Sequence, residues 1–287
     1  MKAIVFYHTD NDGHLSGFLC KKFLLENDYK VEMREIDYGW DISLQGIDKE
    51  TEVYILDFSF EPWDLMEEVH QKAKDLVWID HHETAIDKHS KSLRQFSGTR
   101  DPHVAASRLT WNYFFADTIP ETPEVVQLVA NYDVFNLDFC PGIREFQNGS
   151  RLYDTNPETL DGYAFWNSML GFSYALNNVK QKGEIVYKFQ LKTDLEKIQS
   201  TGFETTLLGK KCFAANLRTN SIPFEHLPNA REYDVYLSFI WTHGHWKVSL
   251  YSNKPNINVG EMALLLGGGG HAKAAGFECA NLPFELK

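Results

Sequence analysis

Short apolar runs alternate with helix-like stretches over the first 80 residues, and this pattern constrains the fold more than any other feature of the chain. The apolar runs are rich in β-branched and aromatic residues, which is typical of buried strands. They cover residues 2–7, 31–36, 53–57 and 76–80, with helix-like stretches at 15–27 and 62–74. Strands that alternate with helices predict a parallel sheet covered by helices, so the expected fold class is α/β.

The remainder of the chain divides into a helical region and a second, smaller domain. Residues 103–178 carry aromatic side chains at helical spacing, which predicts a helical cap on the sheet. A length of 287 residues favours two domains. We predict a first domain over residues 1–180, a linker helix over 181–201 and a mixed α/β domain over 202–287, with the active site in the cleft between the domains.

Composition and charge exclude several classes of protein. The formal charge of −12 disfavours long duplex nucleic acid as a partner, because proteins that grip many phosphates carry a basic surface. No apolar run approaches the roughly 20 residues that a membrane span needs, and the apolar start of the chain is too short for a signal peptide. We therefore expect a cytoplasmic protein without a membrane partner. The four cysteines lack metal-binding spacing and are expected to be free thiols.

The first polar cluster follows the first predicted strand, in the segment His8-Thr9-Asp10-Asn11-Asp12-Gly13. Alternate side chains of an extended segment share one face, so His8, Asp10 and Asp12 are expected to point at the same place. A plain strand-to-helix loop, with Asp12 as the helix cap, explains this segment equally well when it is taken alone.

Three further clusters strengthen the metal-site interpretation. Asp57 ends the third strand, Asp80-His81-His82 ends the fourth, and Asp133 lies in the helical region. A capping role explains Asp57 or Asp133 singly, but the carboxyl ends of parallel strands together form the ligand crevice of an open α/β sheet. Mixed imidazole and carboxylate ligands favour Mn²⁺, with Co²⁺, Zn²⁺ or Mg²⁺ as possible substitutes.

These motifs, in this order, resemble those of the DHH-family phosphoesterases, which include RecJ-like nucleases, oligoribonucleases and pAp phosphatases. The first cluster, Asp57, Asp80-His81-His82 and Asp133 match the four motifs in turn. The tract Gly267-Gly268-Gly269-Gly270-His271 is similar to part of the C-terminal DHH-associated domain of that family. The resemblance implies a DHH catalytic domain followed by a substrate-binding domain.

The resemblance also implies a role for each residue. One metal would be held by His8, Asp10 and Asp57, and a second by Asp12, Asp57, His81 and Asp133. Asp57 would bridge the two ions, which would activate a water for in-line attack on phosphorus. His82 would face the substrate phosphate, and Asp80 would orient the neighbouring histidine.

The glycine tract is the expected substrate contact of the second domain. Gly268, Gly269 and Gly270 allow backbone amides to approach a ligand closely, and His271 adds a side chain, although a flexible turn is the simpler interpretation of the tract by itself. Many DHH-associated domains carry an arginine before this tract, where this chain has Tyr251. We expect Tyr251 either to stack on a base or to pack.

The leading hypothesis is a Mn²⁺-dependent hydrolase of small nucleotides or short single-stranded oligonucleotides that releases nucleoside monophosphates. The alternatives are a pAp phosphatase or a phosphodiesterase acting on cyclic or linear dinucleotides. A non-catalytic nucleotide-binding regulatory module is the alternative from another class. The sequence leaves open the choice between RNA and DNA, the polarity of attack and the oligomeric state.

Overall fold

The computed structural model describes residues 1–92 and 94–286 and divides the chain into two units. The first unit is Met1–Tyr187, and the second begins at Lys188. The division falls within one long helix, Ser173–Thr201. Each unit builds its own sheet and its own core.

The first unit contains a four-stranded parallel sheet in the order β2-β1-β3-β4. The alternation of strands and helices that the sequence predicts is confirmed. The elements of this unit are β1 (Lys2–His8), α1 (Asn11–Glu26), β2 (Lys30–Ile36), β3 (Thr51–Leu56), α2 (Asp64–Lys72), β4 (Asp75–Ile79), α3 (Glu83–Lys91), α4 (Ala106–Phe115), α5 (Glu124–Asp133), α6 (Ile143–Ser150), α7 (Leu160–Gly171) and the start of α8 (Ser173–Thr201).

Both faces of this sheet are buried, which explains why its strands are apolar at nearly every position. Along β1, Ile4 and Phe6 pack into a cluster with residues of α2 and α3. The intervening residues Val5 and Tyr7 pack into a second cluster with residues of α1 and α4. Side chains of a strand alternate between faces, so a sheet covered on both sides needs continuous apolar runs. A further apolar cluster joins α1 to helices α4–α8, which form the predicted helical region.

The second unit contains a six-stranded mixed sheet in the order β5-β6-β7-β8-β10-β9. Among the described strands of this unit, only the β6–β7 pair is parallel. The elements are β5 (Phe203–Leu207), β6 (Lys210–Ala215), α9 (Ile222–Glu225), β7 (Val235–Thr242), β8 (His245–Tyr251), α10 (Val259–Leu265), β9 (Gly269–Gly270) and β10 (Ala274–Cys279). The predicted mixed α/β character of this part of the chain is confirmed.

All four cysteines are free, in agreement with the sequence analysis. Across residues 1–92 and 94–286, no helix combines the length and the apolar character that crossing a bilayer requires.

Candidate metal centre

The candidate site lies at the carboxyl edge of the parallel sheet in the first unit. Strands β1, β3 and β4 end at His8, Leu56 and Ile79, and the pairing register places these ends side by side. The next residues along the chain, Asp57 and Asp80, therefore leave the sheet at the same edge as His8. Parallel pairing thus gathers polar side chains that are far apart in the sequence.

The first motif differs in its backbone from the extended segment that the sequence predicts. The extended conformation ends at Asp10, which is the N-cap of α1 and accepts a hydrogen bond from the Gly13 N–H at 2.9 Å. Helix α1 begins at Asn11, so Asp12 lies in its first turn. The shared-face argument is therefore wrong for Asp12. The helix can begin so close to the strand because residue 13 is glycine: a Cβ there would lie 2.3 Å from the His8 carbonyl oxygen.

Asp12 is held by the start of another helix. Its carboxylate is only 2% exposed and accepts hydrogen bonds from the Ala106 N–H at 2.7 Å, the Ser107 N–H at 3.1 Å and the Ser107 hydroxyl at 2.5 Å. These donors belong to the first turn of α4, where backbone N–H groups have no partner within the helix. The sequence analysis did not assign Ser107 a role in the site.

Asp57 occupies the centre of the cluster and is 1% exposed. Neither carboxylate oxygen accepts a hydrogen bond from any residue that the structure describes. One oxygen lies 3.7 Å from His8 Nδ1 and the other lies 3.3 Å from His81 Nε2. A buried carboxylate without donors is costly unless a cation compensates it, so the surroundings of Asp57 fit a carboxylate that binds metal through both oxygens.

Histidines and aspartates on either side complete possible ligand sets. His8 Nδ1 lies 3.1 Å from Asp10, and His81 Nε2 lies 3.2 Å from Asp133 at the end of α5. Within three groups, the possible ligand atoms all lie within 4.8 Å of one another: His8, Asp10 and Asp57; Asp12, His81 and Asp133; and Asp57, His81 and His82. Two of the three share Asp57, and two share His81.

Asp80 is fully buried and accepts hydrogen bonds from His82. One of its oxygens accepts hydrogen bonds from the backbone N–H groups of His81 and His82, at 2.7 and 3.1 Å, and from His82 Nδ1 at 2.7 Å. These contacts fix the His82 ring, whose side chain remains 25% exposed. His82 is thus the more accessible of the two adjacent histidines, since the side chain of His81 is 5% exposed.

The pKa values of the cluster reflect several carboxylates gathered at a buried site. Burial opposes protonation of His8, but the carboxylates of Asp10 and Asp57 outweigh it and raise its pKa to about 11. Burial likewise opposes protonation of His81, yet Asp57 and Asp133 raise its pKa to about 10. Burial, with the Asp57 carboxylate adding to it, raises the pKa of Asp12 to about 7. The site therefore favours bound cations, whether protons or metal ions.

Asp37 and Tyr38 also border the cluster, and sequence analysis missed both. Asp37 directly follows β2, and its carboxylate lies 3.4 Å from His8 Nε2. The ring of Tyr38 lies 5.7 Å from the His8 ring. The rule that strand ends supply ligands, applied to β2, would have found Asp37.

The predicted glycine contacts lie in the second unit and form part of its sheet. Gly269 and Gly270 make up β9 and pair with β10, and a Cβ on Gly268 would lie 2.0 Å from the Gly276 oxygen. His271 is exposed, and its backbone N–H donates to the Ala274 oxygen at 2.8 Å. Tyr251 packs against an apolar cluster, and its hydroxyl donates to the Thr219 oxygen at 3.1 Å. Its packing role is thus visible in the structure.

No protein-family model matches the sequence, and no curated protein is significantly similar to it. Solved structures nevertheless share its fold. The DHH domain of a member of a family of ribosomal proteins matches with a TM-score of 0.61 at 14% identity, over 97% of this chain and 82% of that chain. A pGpG-specific phosphodiesterase from Vibrio cholerae matches with a TM-score of 0.54 at 15% identity, over 98% and 94%.

A third solved structure with this fold has a longer chain. RecJ from Thermus thermophilus, in complex with Mn²⁺, matches with a TM-score of 0.52 at 11% identity, over 97% of this chain but only 49% of RecJ. The chain therefore has the fold of the DHH proteins, and the resemblance that its motifs carry is confirmed at the level of the fold.

Proposed function

We propose that this protein is a divalent-metal-dependent phosphoesterase that hydrolyses small nucleotides or short single-stranded oligonucleotides to nucleoside monophosphates. The observation that carries the proposal is Asp57, a buried carboxylate with no hydrogen-bond donor on either oxygen among the described residues and a histidine beside each. The pGpG-specific phosphodiesterase and Mn²⁺-bound RecJ share this fold at low identity, which supports the reaction class.

Two metal ions fit the residues present. His8, Asp10 and Asp57 would hold one ion, and Asp12, Asp57, His81 and Asp133 would hold the other. Mn²⁺ suits this mixture of imidazole and carboxylate, with Co²⁺, Zn²⁺ or Mg²⁺ as substitutes. When bound, such a pair supplies an activated water and stabilises charge on the phosphoryl group.

The remaining residues of the site position the substrate. Asp80 accepts from His82 Nδ1, so Nε2 is the ring atom that can meet a substrate phosphate. From that atom His82 would either stabilise charge on the phosphoryl oxygens or protonate the leaving group. In the proposed substrate-binding domain, residues 202–287, Gly268, Gly269, Gly270 and His271 would contact the substrate.

Short substrates suit the acidic character of the chain. A charge of −12 opposes the counterion release that drives binding to long duplexes. A pAp phosphatase and a phosphodiesterase for cyclic or linear dinucleotides are alternatives within the same chemistry, and the Vibrio relative acts on the dinucleotide pGpG. The cytoplasm is the compartment that we propose for this reaction.

A product assay with Mn²⁺ tests this function over pAp, linear and cyclic dinucleotides, and RNA and DNA oligomers of increasing length. Asp57→Asn keeps the side-chain shape but removes the charge, so turnover should fall more than about a hundredfold, beyond the usual cost of losing an outer partner of a metal ligand. Asp87→Asn, at an exposed position of α3, is the matched control and should behave as wild type.

Three results would contradict the proposal. Wild-type turnover in Asp57→Asn would contradict the metal-bridging role of Asp57. Nucleotide binding without turnover of any substrate supports the regulatory-module alternative instead. Equal cleavage of long and short strands overturns the short-substrate assignment.

A further inference from the structure

An exposed tyrosine stands beside the candidate metal centre, at the start of the loop between β2 and β3. Tyr38 is 52% exposed although its ring contacts three other rings. The ring centroids lie 4.6 Å from Phe58, 5.7 Å from His8 and 6.4 Å from His82. The Tyr38 ring thus contacts both the apolar side chain of Phe58 and His82, the histidine that we propose to face the phosphate.

The backbone fixes Tyr38 at this place. Its N–H donates to the Asp37 carboxylate at 2.7 Å, and that carboxylate lies 3.4 Å from His8 Nε2. The next residue, Gly39, has a φ of +84° and no described atom within 4 Å of the position that a Cβ would occupy. The loop beside the ring therefore faces open space, while the start of the loop is tied to the end of the sheet.

We propose that Tyr38 is the base-stacking residue of the first unit and holds the nucleobase of a nucleotide whose phosphate lies at His82. This inference rests on the proposed function and adds a determinant of substrate choice. A nucleotide carries its base one sugar away from its phosphate, and a half-exposed aromatic ring next to a phosphate site suits that base. Every base has a π-face, so stacking on Tyr38 selects nucleotides over other phosphate esters with little preference among bases.

The same loop contains a natural control. Trp40 is 53% exposed, almost the same as Tyr38, and lies two residues further along. Unlike Tyr38, it makes no ring contact with His8, Phe58 or His82 in the part of the chain that the structure describes. If exposure alone allowed a residue to bind a base, substitution of either residue would weaken nucleotide binding. If position beside the site is also required, only substitution of Tyr38 would do so.

Equilibrium binding of AMP and of ribose 5-phosphate tests the inference without any need for turnover. Wild type should bind AMP more tightly than ribose 5-phosphate. Tyr38→Ala should lower the affinity for AMP about tenfold, the usual effect of losing one stacked base, and should leave ribose 5-phosphate unchanged. Tyr38→Phe keeps the ring and Trp40→Ala keeps the site, so both should match wild type.

Kinetics with a dinucleotide give a second measure. The KM of Tyr38→Ala should rise about tenfold while kcat changes little, because stacking binds the ground state and the transition state alike. Tyr38→Leu keeps an apolar contact with Phe58 without a π-face, so it should reproduce the Ala effect while melting like wild type. A defect in Ala that is absent from Leu indicates lost packing and overturns the proposal.

The failure of this inference differs from the failure of the proposed function. If no substrate is hydrolysed but the preference for AMP over ribose 5-phosphate depends on Tyr38, stacking stands and the hydrolase assignment falls. If hydrolysis is normal and Tyr38→Ala weakens both ligands equally, or neither, the stacking role falls alone. A loss in Trp40→Ala or Tyr38→Phe as large as in Tyr38→Ala also overturns it.

Discussion

The support that Ser107 gives to Asp12 leads to a quantitative prediction for Ser107→Ala. The Asp12 carboxylate is buried and accepts three hydrogen bonds, two from the N–H and hydroxyl of Ser107 and one from the Ala106 N–H. The substitution removes only the hydroxyl donor. A hydrogen bond contributes about 0.5–1.5 kcal/mol between neutral groups and about 1.5–3 kcal/mol when it involves a charged group. Asp12, with a pKa of about 7, is partly ionised near neutral pH and keeps two donors, so we expect a loss of about 1.5 kcal/mol.

The effect on metal binding should be larger than the effect on stability. The Ser107 hydroxyl orients Asp12 without itself binding the metal, and losing such an outer partner typically weakens metal binding about 10- to 100-fold. Isothermal titration with Mn²⁺ measures the affinity, and urea unfolding of the metal-free protein measures the stability.

Ser16 provides the matched control. It is as fully buried as Ser107, but its hydroxyl has no hydrogen-bond partner among the described residues. Ser16→Ala should leave Mn²⁺ affinity unchanged and the free energy of unfolding unchanged or slightly higher, because removing an unsatisfied buried hydroxyl carries no bond loss. Equal effects of the two substitutions, or wild-type Mn²⁺ affinity in Ser107→Ala, would refute the reasoning.

Three further predictions concern stability and metal dependence. Burial opposes ionisation of Glu52, but hydrogen bonds from Lys74 and the Tyr29 hydroxyl outweigh it and lower the pKa of this carboxyl. The stabilisation that Glu52 provides is therefore complete above its unfolded pKa of about 4.3 and is lost as the pH falls through its folded pKa. Glu52→Gln should therefore cost about 1 kcal/mol at pH 7 and progressively less towards pH 3 in urea unfolding, whereas a constant difference contradicts the assignment. Gly13→Ala places a Cβ against the His8 carbonyl and should lower the free energy of unfolding by about 1–3 kcal/mol in denaturant titrations. Wild-type stability of this variant would contradict the prediction. Exhaustive chelation should abolish turnover and lower the melting temperature, with both restored by Mn²⁺; full activity after chelation argues against metal dependence.

Elements with strong local patterns could be predicted from the sequence. The four parallel strands are recognisable as apolar runs because both faces of the sheet are covered, and their order along the chain determines which polar residues reach the sheet edge. His8, Asp57 and Asp80 follow directly from that rule. The α/β class and the gathering of these side chains thus need only periodicity and the geometry of parallel strands.

Features that depend on contacts distant in sequence could not be predicted in this way. Asp12 meets Ser107 across 95 positions, and no local pattern links the two. The early start of α1 depends on the close approach of Gly13 to His8, which only coordinates reveal. Tyr38 looks like any surface aromatic residue until its ring contacts with the site are known.

Anomalous diffraction at the manganese edge, from crystals grown with Mn²⁺, tests the central claim most directly. The account predicts two anomalous peaks, each coordinated by a different oxygen of the Asp57 carboxylate. His8 and Asp10 should complete one coordination shell, and His81 and Asp133 should contribute to the other. A single peak, or peaks that Asp57 does not coordinate, would contradict the account.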